Sequence, residues 1–347
     1  MRAIRFQEKR RVDVGTVDDP GLEAPTDVVV RVERAAVCGS DMHVFHGRET
    51  GIDAGCVMGH EFLGEVVDAG ADVKLPIGSR VVSPFTTNCG ACAACRRGLT
   101  CRCEAGALFG WVAGGVGLQG SQAELVRVPL ADATLVPVPE GTPLDEALLC
   151  GDVLATGFFC AENGGVAGGA RVAVVGLGPV GLCAVLGARD LGAERIFAID
   201  DVPERLAIAA SFGAETIDRS AVDPIEAVRA ATDGHGVDVA LEAVGHPDAA
   251  RLAIDVLRAG GTLSSVGVHT SPTFPFTPVE AYDKNLTFKI GRCPARRLAE
   301  PLLSRVRDRS LDASALITHR MSLEEGARAY ELFDKKEDGC IKLVLIP

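Results

Sequence analysis

The sequence predicts an α/β chain of two domains, one an irregular β-rich body and the other a doubly wound parallel sheet. Three observations predict it. A length of 347 residues exceeds the size at which a single hydrophobic core usually stops growing. Up to about residue 150, short apolar runs are broken by Gly and Pro, whereas from about residue 170 strand and helix signals alternate regularly. A glycine-rich turn, Gly176-Leu-Gly178-Pro179-Val180-Gly181, stands between the first of those strands and its helix.

Taken in order, the opening MRAIRFQEKRRVDV alternates apolar and polar residues as a first strand does. It lacks the apolar core of about 7–15 residues that an export signal needs, so a cytoplasmic location is expected. Residues 27–32, 64–68, 80–83 and 124–128 read as further strands. The regular region then gives a strand at 171–175, a helix at 179–191, a strand at 196–200 and a helix at 204–212. A helix opened by Asp223-Pro224 follows, then a strand at 237–243, a helix at 248–257 and a strand at 263–268 after Gly260-Gly261. Right-handed crossovers make that sheet parallel. Near the end, 321–333 carries a helical pattern begun by Ser322-Leu-Glu-Glu325, a capping box, and 341–346 is an apolar strand. The domains are expected at 1–150 with 291–347, and at 151–290.

Composition excludes some partners. A formal charge of -12 repels phosphate backbones, so no nucleic-acid partner is expected. No apolar run approaches the ~18 residues of a membrane helix, so no membrane partner is expected either. Twelve cysteines without an export signal read as metal ligands and buried apolar residues rather than a disulfide framework.

The glycine turn has a physical reading of its own. In Gly-x-Gly-x-x-Gly after a strand, Gly176 permits the tight turn, Gly178 lets backbone approach a pyrophosphate, and Gly181 lets helix and strand pack closely. Asp200 ends the next strand 19 residues after Gly181, where a carboxylate accepts from an adenosine ribose. This is the Rossmann arrangement. With Asp201 beside it, Asp200 also repels a 2′-phosphate, which favours NAD over NADP; Asp201 in place of Asp200, or one of them as a helix cap, remains open.

The first half holds two groups of metal-ligand residue types. CGACAACRRGLTCRC, from Cys89 to Cys103, has five cysteines, one more than a tetrahedral site uses. More scattered are Cys38 in CGSDMH, His60-Glu61 in GHEF and Asp152 in GDVLATG, with Cys150 as a rival to Asp152. Singly, a Cys is usually a small buried apolar residue, a His a hydrogen-bonded structural one and an Asp a helix cap. Together, Cys, His and a carboxylate are the ligands zinc prefers.

On CGSDMH, GHE, the cysteine cluster, GDVLATG, GLGPVG and the terminal GCIKLVL, the chain resembles the medium-chain zinc-dependent alcohol dehydrogenase family over essentially its whole length. GRCPARR, ending at Arg297, looks most like the formaldehyde-dehydrogenase-related branch. The resemblance implies a GroES-like catalytic domain beside the Rossmann domain, a cytoplasmic homodimer or homotetramer, NAD, and two zinc ions per subunit. It implies an enzyme that interconverts a small alcohol and its aldehyde or ketone by hydride transfer. Polyol dehydrogenases and aldehyde dismutases share the scaffold, and a non-catalytic module binding NAD and zinc is the alternative of another class.

Carried over residue by residue, the resemblance makes Cys38, His60 and Asp152 ligands of a catalytic zinc, with Glu61 behind or beside it. Cys89, Cys92, Cys95 and Cys103 hold a structural zinc, leaving Cys101 spare. Ser40 and His43 form a proton relay, and Phe85 lines the substrate pocket; Trp111, apart from the resemblance, either joins that pocket or belongs to the core. Besides Gly176, Gly178, Pro179, Val180, Gly181 and Asp200, the cofactor site takes Arg205 near the adenosine and Val244, Val266, Gly267 and Val268 near the carboxamide. Lys342 occupies the basic position near the pyrophosphate.

Overall fold

In the computed structural model, which describes residues 1–347, the chain divides into two units, Met1–Ala155 with Pro294–Pro347, and Thr156–Cys293. Those boundaries lie a few residues from the ones expected.

In the first unit, the amino-terminal alternation folds as a hairpin instead of one strand. β1 (Arg2–Glu8) pairs antiparallel with β2 (Arg11–Thr16), and Arg10 turns the chain with φ 62°. β3 (Val28–Val37) is the longest strand and pairs antiparallel with β4 (Phe62–Ala69), which pairs with β5 (Arg80–Ser83). β6 (Trp111–Ala113) and β7 (Val116–Leu118) form a second hairpin, while β8 (Leu125–Val128) joins β3 and β9 (Val136–Pro137) joins β5.

The second unit is an open parallel sheet. β10 (Arg171–Val175), β11 (Arg195–Asp200), β12 (Glu215–Asp218), β13 (Val237–Glu242), β14 (Leu257–Ser265) and β15 (Thr287–Ile290) lie in the order β12-β11-β10-β13-β14-β15. The order reverses between β10 and β13, which opens a crevice at the carboxyl ends of those strands. β10 is an unbroken buried run because helices cover both faces of a parallel sheet. β14 stops at Ser265, so Val266–Val268, expected on a strand, lie in the turn beyond it. The four-residue β12 was not foreseen, because ETID has neither the length nor the apolar content of a strand signal.

The tail returns to the first unit. β16 (Ile317–Ser322) and β17 (Lys342–Ile346) pair in parallel, and β17 adds antiparallel to β3, completing the order β16-β17-β3-β4-β5-β9. The helix expected at 321–333 therefore starts later, as Gly326–Lys335. Ile317 and Met321 are buried on one strand face, and the Ser322–Glu325 capping box serves a 3₁₀ turn that precedes the helix. Val28, Val30, Val32, Phe62, Val66, Leu343 and Leu345 form the centre of this unit's core. No helix of the protein is long and apolar enough to cross a membrane.

Candidate active site

Where β3 ends, Cys38 stands as N-cap of the helix Gly39–Phe45, and its backbone N–H donates to Asp41 at 2.9 Å. His60 and Glu61 immediately precede β4, and Asp152 immediately precedes the helix Val153–Gly164. The ligand atoms of Cys38, His60, Glu61 and Asp152 all lie within 4.8 Å of one another, and all four residues are buried. Nε2 of His60 is 3.3 Å from Asp152 Oδ2, and Cys38 Sγ is 3.8 Å from the same oxygen. Cys150, by contrast, is fully buried with its thiol donating to the Glu146 carbonyl at 3.6 Å, outside this cluster.

Asp41 was not singled out from the sequence, and it organises the site. Its Oδ1 lies 3.1 Å from His60 Nδ1, which leaves Nε2 to face the other ligands. The amide of Gln122 donates to Asp41 at 3.2 Å, and the hydroxyl of the fully buried Tyr330 donates to Gln122 at 2.8 Å. The available signal was a carboxylate three residues after Cys38, at the N3 position of a capping box.

The electrostatics suit a cation. Burial, and then the charge of Glu61, push the Cys38 thiol up. Burial disfavours a charged His60 ring, but Asp41, with Asp152, outweighs it and holds His60 well above the usual histidine value. Glu61 Oε2 is buried without a hydrogen-bond partner, an orphan acceptor aimed among thiol, imidazole and carboxylate. This donor set fits zinc, which takes S, N and O ligands together.

Lys342 is the residue expected at a basic position near a pyrophosphate. It is fully buried in β17, where its ammonium pairs with Glu61 Oε1 and donates to the Val37 carbonyl at 3.2 Å. Burial works against the ammonium, but Glu61, with Cys38, holds its pKa above the ordinary lysine value. The physical reason is burial: β17 is an inner strand paired on both edges, its Lys342 side chain has no exposed surface, and the ammonium must find an anion indoors.

Ser40 Oγ lies 3.1 Å from His60 Nε2. His43, in the same short helix, has a buried Nδ1 without a partner, and burial, then Arg48 and His46, lower its pKa below 6.5. Phe85 is buried, with its carbonyl accepting from Phe109 N–H at 3.3 Å. Trp111 is half-buried against the core of the first unit.

The second cysteine group also converges. Sγ atoms of Cys89, Cys92, Cys95 and Cys103 lie within 4.8 Å of one another, while Cys101 is buried and outside that set. Backbone N–H groups aim at the sulfurs, from Cys92 to Cys89 at 3.3 Å, Cys95 to Cys92 at 3.5 Å and Cys89 to Cys103 at 3.1 Å. Backbone N–H groups of Cys95 and Glu104 pull Cys92 down to about 6, whereas burial and neighbouring thiols push Cys95 up to about 12. Four thiolates so close repel one another, a conflict that a divalent cation removes.

In the second unit, Gly176 has φ 86°, and a Cβ there would strike the Val244 side chain. A Cβ on Gly181 would strike the backbone of Gly176, so helix Pro179–Asp190 sits directly on the turn. Around Gly178 a Cβ would meet nothing within 4 Å, which leaves open the approach a pyrophosphate uses. Val180, like Pro179, is half-buried at the start of that helix. Asp200 is buried and accepts from Leu177 N–H at 2.6 Å, Asp201 N–H at 2.8 Å and Val202 N–H at 3.0 Å. Arg205 Nη1 stands 3.7 Å from Asp200, and Asp201 pairs with Arg219 at 2.5 Å. Val244 is exposed, and Val266, Gly267 and Val268 are partly or fully exposed.

Comparison with known proteins places this geometry. Residues 24–140 match the family model described as "Alcohol dehydrogenase GroES-like domain", and residues 179–302 match "Zinc-binding dehydrogenase". "Zinc-type alcohol dehydrogenase B" of Aspergillus flavus is 39% identical over 345 residues, 96% of this chain and 79% of that one. An "NADP-dependent isopropanol dehydrogenase" of Thermoanaerobacter brockii is 35% identical over 329 residues, 93% of each chain. The solved structure "Alcohol dehydrogenase TADH from Thermus sp. ATN1" matches with a TM-score of 0.96 and 41% identity over 100% of both chains. A β-rich unit carrying Cys38, His60 and Asp152, a Rossmann unit carrying the glycine turn, and relatives matched from end to end lead to one conclusion: the chain belongs to the medium-chain zinc-dependent alcohol dehydrogenase family.

Proposed function

We propose that the protein is an NAD-linked enzyme with two zinc ions per subunit, interconverting a small alcohol with its aldehyde or ketone. The observation that carries this reading is the buried convergence of Cys38, His60, Glu61 and Asp152 with an orphan carboxylate oxygen among them. Cys38, His60 and Asp152 would hold a zinc that would supply Lewis acidity, and a bound nicotinamide cofactor would supply the hydride chemistry.

The chain's own residues do the rest. Asp41 fixes the His60 ring through Nδ1. Ser40 receives the hydroxyl proton, and His43, kept neutral near pH 7, hands it onward. Phe85 and Trp111 shape the apolar side of the pocket. Cys89, Cys92, Cys95 and Cys103 hold a zinc whose four thiolates leave no open position, so that site closes a loop and stabilises the fold. Asp200 favours NAD: its carboxylate, buried at the tip of β11, accepts from ribose hydroxyls and repels a 2′-phosphate.

A homodimer or homotetramer suits the edge strand β15, which leaves Ile290 46% exposed. A cytoplasmic setting suits twelve cysteines of which none is joined in a disulfide. The test is a panel of primary, secondary and aromatic alcohols, formaldehyde-related substrates included, with NADH absorbance followed on zinc-replete enzyme. Turnover on none of them, in either direction, refutes the reading. Asp152→Ala lowers zinc by one equivalent and abolishes turnover; retention of both zinc ions would assign the ligand to Cys150.

A further inference from the structure

Glu242 ends β13 and has no exposed surface, yet none of the roles above uses it. Its Oε1 accepts from the backbone N–H groups of Val244 and Gly245, each at 2.7 Å. Its Oε2 accepts from Ser265 Oγ at 2.6 Å, and Ser265 is its register partner on β14. The imidazole of His269 completes the group, with Nε2 2.8 Å from Ser265 Oγ and 3.4 Å from Glu242 Oε2. Burial pushes the carboxyl up, but these hydrogen bonds outweigh burial and hold it below the usual carboxylate value.

The two turns this carboxylate ties down are pressed backbone against backbone. A Cβ on Gly267 would come within 2.6 Å of Gly245 Cα, and one on Gly245 within 2.6 Å of the Val268 carbonyl carbon. Val244 in turn fills the space beside Gly176. One buried anion therefore sits at the carboxyl edge of the sheet, under the turns 243–246 and 266–269, which flank the crevice where open parallel sheets bind ligands. The neighbours that satisfy it are N–H and O–H dipoles and one imidazole, with no lysine or arginine among them. Its charge is solvated, not cancelled.

We propose that Glu242, held by Ser265 and His269, is a positioning residue whose charge also raises the second unit's affinity for an oxidised, cationic nicotinamide relative to the neutral reduced one. This rests on the nicotinamide cofactor reading above. A fixed unit charge acting through an effective dielectric constant near ~20 changes the relative affinity of a nearby cation and its neutral form by about tenfold.

The experiment measures dissociation constants of the oxidised and reduced cofactor on zinc-replete enzyme, by calorimetry and by nicotinamide fluorescence, at a pH of about 8.5, above the ordinary histidine range. Glu242→Gln keeps shape and removes charge; it is expected to weaken the oxidised form about tenfold more than the reduced one. Glu242→Asp and Ser265→Ala keep the charge and are expected to weaken both forms by equal factors. If Glu242→Gln weakens both equally, the electrostatic role is overturned and only packing remains. If wild type binds neither cofactor form, the cofactor reading itself falls, and this inference with it. Should Glu242→Gln fail to fold, Glu242→Met combined with Ser265→Ala removes the charge together with its buried hydroxyl donor; a ratio shifted about tenfold supports the proposal, and an unchanged ratio overturns it.

Discussion

Replacing Lys342 with Met tests the buried pair at the metal cluster. Both Lys342 and Glu61 have no exposed side-chain surface, so neither charge has water to fall back on. Lys342→Met removes the cation, leaves Glu61 with an uncompensated buried charge, and takes a donor from the Val37 carbonyl. Breaking a pair buried on both sides costs about 3–5 kcal/mol, and the unmet carbonyl places the expectation towards the upper end. Lys342→Met combined with Glu61→Gln removes both charges and should recover at least half of that loss. The single tryptophan, Trp111, packs on the core of the first unit and reports its unfolding without a label. With a slope of about 2–3 kcal/mol per molar urea, the single variant should unfold about 1.5 M earlier than wild type at saturating zinc. A loss under about 1 kcal/mol, or a double variant as unstable as the single one, refutes the reasoning.

Cys103→Ser should release one zinc equivalent and speed proteolysis of the lobe 89–103, whereas Cys101→Ser, outside the converged thiols, should leave zinc content unchanged; metal analysis with limited proteolysis decides. Asp200→Ala removes the acceptor of three backbone N–H groups, so KM for NAD should rise at least about tenfold and the preference over NADP should narrow, as initial rates with each cofactor will measure. His43→Gln should slow alcohol oxidation and flatten the acid limb of its pH profile. The folded-state pKa of His43 lies below 6.5, so its contribution to stability is complete above 6.5 and is lost as pH falls through the folded value; urea midpoints at pH 5 and 7 will differ less in the variant.

What the sequence made legible was local. The Gly-x-Gly-x-x-Gly turn announces itself because glycine alone tolerates φ 86° at Gly176 and the contact at Gly181, both within one strand-turn-helix unit. The alternation from β10 onward reads well because each crossover is short and periodic. Partners that meet across the fold left no such mark. Glu61 and Lys342 are 281 residues apart, Gln122 and Tyr330 are 208 apart, and nothing in the spacing of either pair names the other. A usable signal did exist in Lys342, a charge opening the run KLVLI, since a lysine in a central strand requires an anion. Glu242, next to last in the expected strand 237–243, carried the same signal, but nothing in that run names Ser265 or His269 as its partners. The amino-terminal hairpin was hidden for another reason: EKRR is a charged run with no Gly, Pro, Asn or Asp to mark a turn, and the turn rests on Arg10 adopting the left-handed region.

The two buried carboxylates follow opposite electrostatic logics, and the difference bears on what each unit does. Around the metal cluster, Cys38 and Asp152 as anions would balance a divalent zinc, while Glu61 and Lys342 pair with each other. Lys342 thus lets a carboxylate remain in the cluster without adding net charge, which a neutral residue in place of Glu61 would also achieve but without a fixed dipole. Glu242 has no such counter-charge, only dipoles and His269. Because dipoles solvate that charge without cancelling it, it stays available to a cation, and the oxidised nicotinamide is the cationic form of the cofactor in the proposed reaction.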